Sequence, residues 1–114
     1  MNKLGRILVL DGNERSALAI TRCLGRHGLR PIVGAETDRS LAGASRFCHD
    51  QVCYASPYQE PLTFINDLQR IITEHKIEFI LPATDVTTLL AARHLDKCPG
   101  VKLPVASYEQ LDLL

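Results

Sequence analysis

Residues 7–10, Ile-Leu-Val-Leu, are apolar without alternation, the pattern of a strand covered on both faces within a parallel sheet. After a polar break at Asp11-Gly12-Asn13-Glu14-Arg15-Ser16 the period changes. Ala17, Ile20 and Leu24 then share one helical face with Cys23 beside them, while Arg15, Arg22 and Arg26 lie mostly elsewhere. His27 and Gly28 supply a helix end: a cation-capable side chain in the last turn and a residue free to adopt the left-handed cap. Residues 31–35 read as a second strand. Residues 36–50 hold Gly, Ser, Asp and Arg without a sustained period and predict an irregular connection with room for one helical turn. Residues 51–55 form a weak third strand. Pro61 opens a helix in which Phe64/Ile65, Leu68 and Ile71/Ile72 recur at helical spacing as far as His75. Residues 77–81 give the next strand, and Pro82-Ala83-Thr84-Asp85 follows at once. There Asp85 is expected to cap a helix whose Val86, Leu89 and Leu90 face inward. Residues 102–106 predict a last strand, and Ser107 begins a further helix that runs to Leu114.

This alternation of strands and helices predicts an α/β fold: a doubly wound, mostly parallel sheet of about five strands, Rossmann-like, with helices on both faces and right-handed crossovers. Ligands of such sheets lie beyond the carboxyl ends of the strands, near the point where strand order reverses. The turns at residues 11–16 and 82–85 both fall there, and they are neighbours if the first and fourth strands are adjacent.

The chain has 114 residues with Lys+Arg and Asp+Glu both at 13, the size of one domain with a modest core. Zero net charge and the lack of a Lys/Arg run longer than two remove the electrostatic footprint of a nucleic-acid or anionic-membrane binder. No apolar stretch approaches the ~18 residues of a membrane span, and the N-terminal residues turn polar too soon for a signal peptide. A cytoplasmic location is expected. Cys23, Cys48, Cys53 and Cys98 form no C-x-x-C pair and only His49 lies close to one of them, so zinc spacing is missing. Small buried or half-buried free thiols are the expectation. His49, His75 and His94 have no acidic or cysteine partner at catalytic spacing.

Two familiar chemistries do not fit the first turn. A dinucleotide loop needs G-x-G-x-x-G, and only Gly12 is present, followed by Asn13, Glu14 and Arg15; a P-loop is equally missing. The rhythm of residues 7–35 also resembles a response-regulator receiver domain. The acidic pair, phosphoacceptor and lysine of that family are not matched, because Gly12 follows Asp11, no Asp ends the third strand, and Pro104-Val105-Ala106-Ser107 stands where the lysine belongs.

Four landmarks in order carry a closer likeness: Gly12-Asn13-Glu14-Arg15-Ser16-Ala17-Leu18-Ala19 with Arg22; Ser45-Arg46-Phe47; Leu81-Pro82-Ala83-Thr84-Asp85; and Leu103-Pro104 with Ser107-Tyr108-Glu109-Gln110-Leu111. Together they resemble the N-terminal, pre-ATP-grasp domain of ATP-grasp ligases, in particular the carbamoyl-phosphate-synthase-like branch that includes carboxylate–amine ligases. The resemblance spans nearly the whole chain, with residues 1–106 as the Rossmann-like domain and 107–114 as the start of a helix leading to an ATP-grasp domain. It implies an enzyme that activates a carboxylate with Mg-ATP and transfers it to an amine or related nucleophile. ATP and Mg would be bound by the downstream ATP-grasp domains, so this domain alone would be inactive, with no catalytic, cofactor or metal residue of its own. Its contribution would be a wall of the substrate cleft for a small carboxylate, with a homodimer left open.

By that likeness the substrate-binding candidates are Gly12, Asn13, Glu14, Arg15, Ser16, Arg46, Thr84 and Asp85. Gly12 would permit close backbone approach, and the amides of residues 13–16 at a helix N-terminus would accept a carboxylate or phosphate edge. Each residue also has a plain structural role. Asp11 or Asn13 can cap the first helix, Glu14 complements its dipole, and Asp85 caps the helix it precedes. Thr84 points its hydroxyl either into the cleft or back to the chain. Arg46 either reaches a substrate anion or pins the irregular loop through backbone carbonyls. A different class of function, a stand-alone binding module that recruits a separate ATP-grasp subunit, is disfavoured by the expected exposure of Leu111, Leu113 and Leu114 at an unfinished helix.

Overall fold

The computed structural model describes residues 4–94. The strand expected at 102–106, the helix from Ser107, and Cys98 lie outside them. Among the described residues four strands form one parallel sheet: β1 (Leu4–Val9), β2 (Arg30–Ala35), β3 (Asp50–Cys53) and β4 (Phe79–Leu81), in the order β3-β2-β1-β4. Three helices connect or follow them: α1 (Arg15–Arg26), α2 (Pro61–His75) and α3 (Asp85–His94). β1 pairs with β2 on one side and with β4 on the other, which is the adjacency that brings the first and fourth strand ends together.

The unbroken apolar run of β1 is explained by cover on both sides. Leu8 and Leu10 pack in a core with Ile32, Phe64, Leu68, Ile71 and Ala91, so α2 and α3 lie on that face. Val9 packs on the opposite face with Val33, Ala17 and Ala42, under α1. The phenol ring of Tyr54 meets Phe64 edge-on, with centroids 4.9 Å apart, a geometry favoured by the ring quadrupoles.

The end of α1 follows its sequence signals. Gly28 has φ +81°, and the Leu29 and Gly28 amides donate to the carbonyls of Leu24 and Gly25 at 3.0 and 3.1 Å, the paired bonds of a Schellman motif. The helix faces depart from expectation in two places. On α1 the fully buried positions are Ala17 and Thr21, with Ile20 and Leu24 only partly covered and Cys23 exposed. Thr21 is tolerated inside because its hydroxyl donates to the Ala17 carbonyl at 2.8 Å. On α3 the buried residues are Thr87 and Ala91, while Val86 and Leu89 are half-buried.

Cys53 is exposed as well, which corrects the expectation of buried thiols; Cys48 alone of the described cysteines is half-buried, and burial pushes its thiol up. β4 begins at Phe79 rather than Ile77. Ile77 instead closes α2, donating its amide to Ile72 at 3.1 Å while its side chain enters the core. Residues 36–49 form turns, with one helical bond from the Ala44 amide to Ser40.

Candidate functional site

The carboxyl ends of the strands meet in a shallow polar cleft of about 50 Å³. Its walls come from the β1–α1 turn (Asp11, Gly12, Asn13, Glu14), the end of β2 (Ala35, Glu36), Tyr54 and Tyr58 after β3, and Thr84 after β4. The turns at residues 11–16 and 82–85 are therefore brought together, and the structure shows what joins them.

Asp11 is the joint. It sits in the left-handed region at φ 62°, which asparagine and aspartate tolerate better than other non-glycine residues. Its carboxylate Oδ2 accepts the Ala83 amide at 2.9 Å and the Thr87 hydroxyl at 2.5 Å. Its own amide donates to the Tyr54 phenol oxygen at 2.8 Å, and that phenol donates onward to the Gly34 carbonyl at 3.2 Å. Ser16 adds a second tie between the turns, its hydroxyl donating to the Ala83 carbonyl at 3.2 Å. Burial pushes the Tyr54 phenol well above its ordinary value, opposed by the Asp11 amide bond and reinforced by the Asp11 charge. Among the described residues no buried side-chain nitrogen or oxygen lacks a partner, and both bonds to the Asp11 carboxylate fall on Oδ2.

Several sequence expectations change once placed. Gly12 is buried, and a Cβ there would lie 2.5 Å from Ser40 Oγ and 2.7 Å from Val33 Cγ1. Its smallness makes room for the chain's own loop, so the close approach it permits is internal. The Asp11, Gly12 and Glu14 amides are all engaged, to Tyr54, Gly34 and Asp11 respectively, leaving Glu14 out of any anion cradle. Neither Asp11 nor Asn13 caps α1. The cap position is Glu14, which makes no side-chain capping bond. Asn13 instead clamps the following loop, donating to Thr37 Oγ1 at 3.2 Å and accepting the Leu41 amide at 3.3 Å.

At α3 the cap is Thr84, not Asp85: the Thr84 hydroxyl oxygen accepts the Thr87 amide at 3.3 Å, while Asp85 is exposed in the first turn. Thr84 thus points back to the chain. Arg15 is exposed on α1 outside the cleft lining.

Arg46 lies at the opposite end of the sheet. Its carbonyl accepts the guanidinium of Arg30, the first residue of β2, at 2.8 Å, and its own guanidinium stands 4.9 Å from the Phe47 ring centroid. It joins none of the other candidates.

Glu36, Tyr54, Tyr58 and Thr87 were missed. A threonine three residues after another at a helix start, and a tyrosine ending a short strand, were the available signals, and both are common in purely structural settings.

The cleft chemistry is acidic. Asp11, Glu14 and Glu36 line it, and among the described residues no Lys or Arg does. An exposed helix N-terminus favours an anion by roughly 0.3–1 kcal/mol, and an exposed carboxylate opposes one by about 0.2–1 kcal/mol. With three carboxylates present, the balance favours a cation or a neutral donor. Among the described residues no group of three His, Cys, Asp or Glu side chains could hold a metal, and no helix is long and apolar enough to cross a membrane. The chain matches no protein-family model and no curated protein.

Proposed function

We propose that this chain is the substrate-side N-terminal domain of an ATP-grasp ligase of the carbamoyl-phosphate-synthase-like kind, which activates a carboxylate with ATP and passes it to an amine. In this reading the sheet is the doubly wound, Rossmann-like core of about five strands. The observation that carries the proposal is the cleft itself. Two turns from separate parts of the chain are bonded together at the strand ends, yet they enclose only about 50 Å³, against the roughly 300–1,000 Å³ of a complete small-molecule site. Such a surface makes one wall of a site and requires a second wall from elsewhere, as the ligase reading supplies.

The residues here do not fit ATP or Mg. The β1–α1 turn has one glycine, filled behind by Ser40 and Val33, and among the described residues no three His, Cys, Asp or Glu side chains come together as a metal would need. No step of phosphoryl transfer is assigned to them. In this reading their work is to bind and orient, and the acidic lining supports an amine partner or an ammonium on the substrate as the group that meets this wall. Tyr58, 62% exposed at the rim, presents a ring face that also attracts a cation. The expected small carboxylate then meets the other wall.

The test is ADP release by the native polypeptide carrying this domain, given Mg-ATP and panels of carboxylates and amines. Release that depends on both substrates, with Glu36→Gln raising the amine KM at least fivefold and leaving the ATP KM unchanged, supports the proposal. Absence of release with every pair overturns the ligase. An unchanged amine KM overturns the assignment of this wall.

A further inference from the structure

A second concavity, of about 310 Å³, lies at the opposite end of the sheet from the cleft, lined by Gly25, Gly28, Arg30, Arg46 and Phe47. Its volume falls at the lower edge of the range for small-molecule sites. Gly25 and Gly28 form its floor at the end of α1. A Cβ at Gly25 would collide with the Phe47 ring, whereas nothing lies within 4 Å of a Cβ built at Gly28. The ring is thus seated on the helix backbone beside open space.

The rim is cationic. Arg30 donates one guanidinium nitrogen to the Arg46 carbonyl at 2.8 Å, which fixes the loop carrying Arg46 and Phe47. The Arg46 guanidinium lies over the Phe47 ring at 4.9 Å, and among the described residues it makes no hydrogen bond or ion pair. Asp50, the acid that begins β3, has its Oδ1 occupied by the Gln51 amide at 2.8 Å. A planar fork of unused donors, positioned over an aromatic face next to an apolar floor, matches a carboxylate attached to a flat apolar body.

We propose that this groove binds small organic carboxylates, with the Arg46 guanidinium pairing to the carboxylate and the Phe47 ring and glycine floor receiving the apolar part. The site is separate from the strand-end cleft and owes nothing to its function.

Benzoate, acetate and benzyl alcohol are the probes, titrated into the 114-residue chain while amide and aromatic NMR shifts are followed. Saturable benzoate shifts centred on Gly25, Gly28 and Phe47, at least fivefold tighter than for either other probe, support the site. Arg46→Gln should weaken benzoate at least fivefold with the remaining spectrum unchanged, and Phe47→Leu should erase the preference for benzoate over acetate. Equal response to all three probes, shifts centred elsewhere, or wild-type affinity in both variants overturns it. Should Phe47→Leu lose amide dispersion, the Arg46→Gln titration alone decides.

Discussion

Thr87 donates its hydroxyl hydrogen to the Asp11 carboxylate at 2.5 Å, across 76 positions of sequence. Because that proton is committed, the 3.0 Å contact between the Thr84 and Thr87 hydroxyls has one consistent direction: Thr84 donates and Thr87 accepts. The helix cap and the joint between the two strand-end turns are therefore one polar chain, Thr84 to Thr87 to Asp11. It explains why a fully buried position on α3 is a threonine.

Thr87→Val keeps the shape of the side chain and removes the only side-chain donor to Asp11 among the described residues. The carboxylate keeps the Ala83 amide but loses a charge-assisted bond in a part-buried setting, so the variant should lose about 1–3 kcal/mol by urea unfolding. Thr87→Ser retains the hydroxyl and should recover most of the loss. Equal losses in the two variants would show that the site needs the methyl group rather than the bond.

Gly25 sits inside α1, where alanine is ordinarily better by about 1 kcal/mol. Here the added Cβ meets the Phe47 ring, so Gly25→Ala should destabilise. In a Phe47→Ala background the collision is gone and the same substitution should stabilise. This reversal of sign across a double-mutant cycle, read from urea midpoints, isolates the packing contact. No reversal means that the loop moves aside at little cost.

The strands and the first two helices were legible because their signals are local: the unbroken apolar run at 7–10, Pro61 with its helical period, and the His27-Gly28 ending. Strand order was legible only as a condition, since nothing in residues 77–81 states which edge they join. The candidate site was half legible. Position at strand ends picked out Asn13, Glu14 and Thr84, but their bonding partners are Thr37, Asp11 and Thr87, and pairings at a distance leave no periodic trace. Arg46 illustrates the same limit, because its place along the chain does not reveal at which end of the sheet a 14-residue loop between β2 and β3 brings it.

Tyr54 links stability to alkaline pH. Its phenol is neutral when protonated and its folded value is raised, mainly by burial. Above the ordinary value of about 10 the unfolded chain releases this proton while the folded chain retains it, so stability falls as pH climbs beyond that point. Tyr54→Phe should be less stable at neutral pH, having lost the bonds to the Asp11 amide and the Gly34 carbonyl. Its stability should also decline less steeply from pH ~10 to ~11.5. Parallel declines in the two proteins would place the alkaline transition on other groups.

Thr84 and Asp85 compete for the start of α3, and salt separates them. If Thr84 is the cap, Thr84→Val removes a short-range hydrogen bond to the Thr87 amide and costs about 1 kcal/mol. That cost should be the same at low salt and at ~1 M, where the Debye length is ~3 Å but direct bonds persist. Asp85 is exposed in the first turn, so its contribution is charge against the helix dipole, roughly 0.3–1 kcal/mol at low salt and screened at high salt. Asp85→Ala should therefore destabilise at low salt and be nearly silent at ~1 M. The measurement is urea unfolding of both variants at the two salt concentrations. A larger, salt-independent loss for Asp85→Ala would return the cap to Asp85 and free the Thr84 hydroxyl to face the cleft.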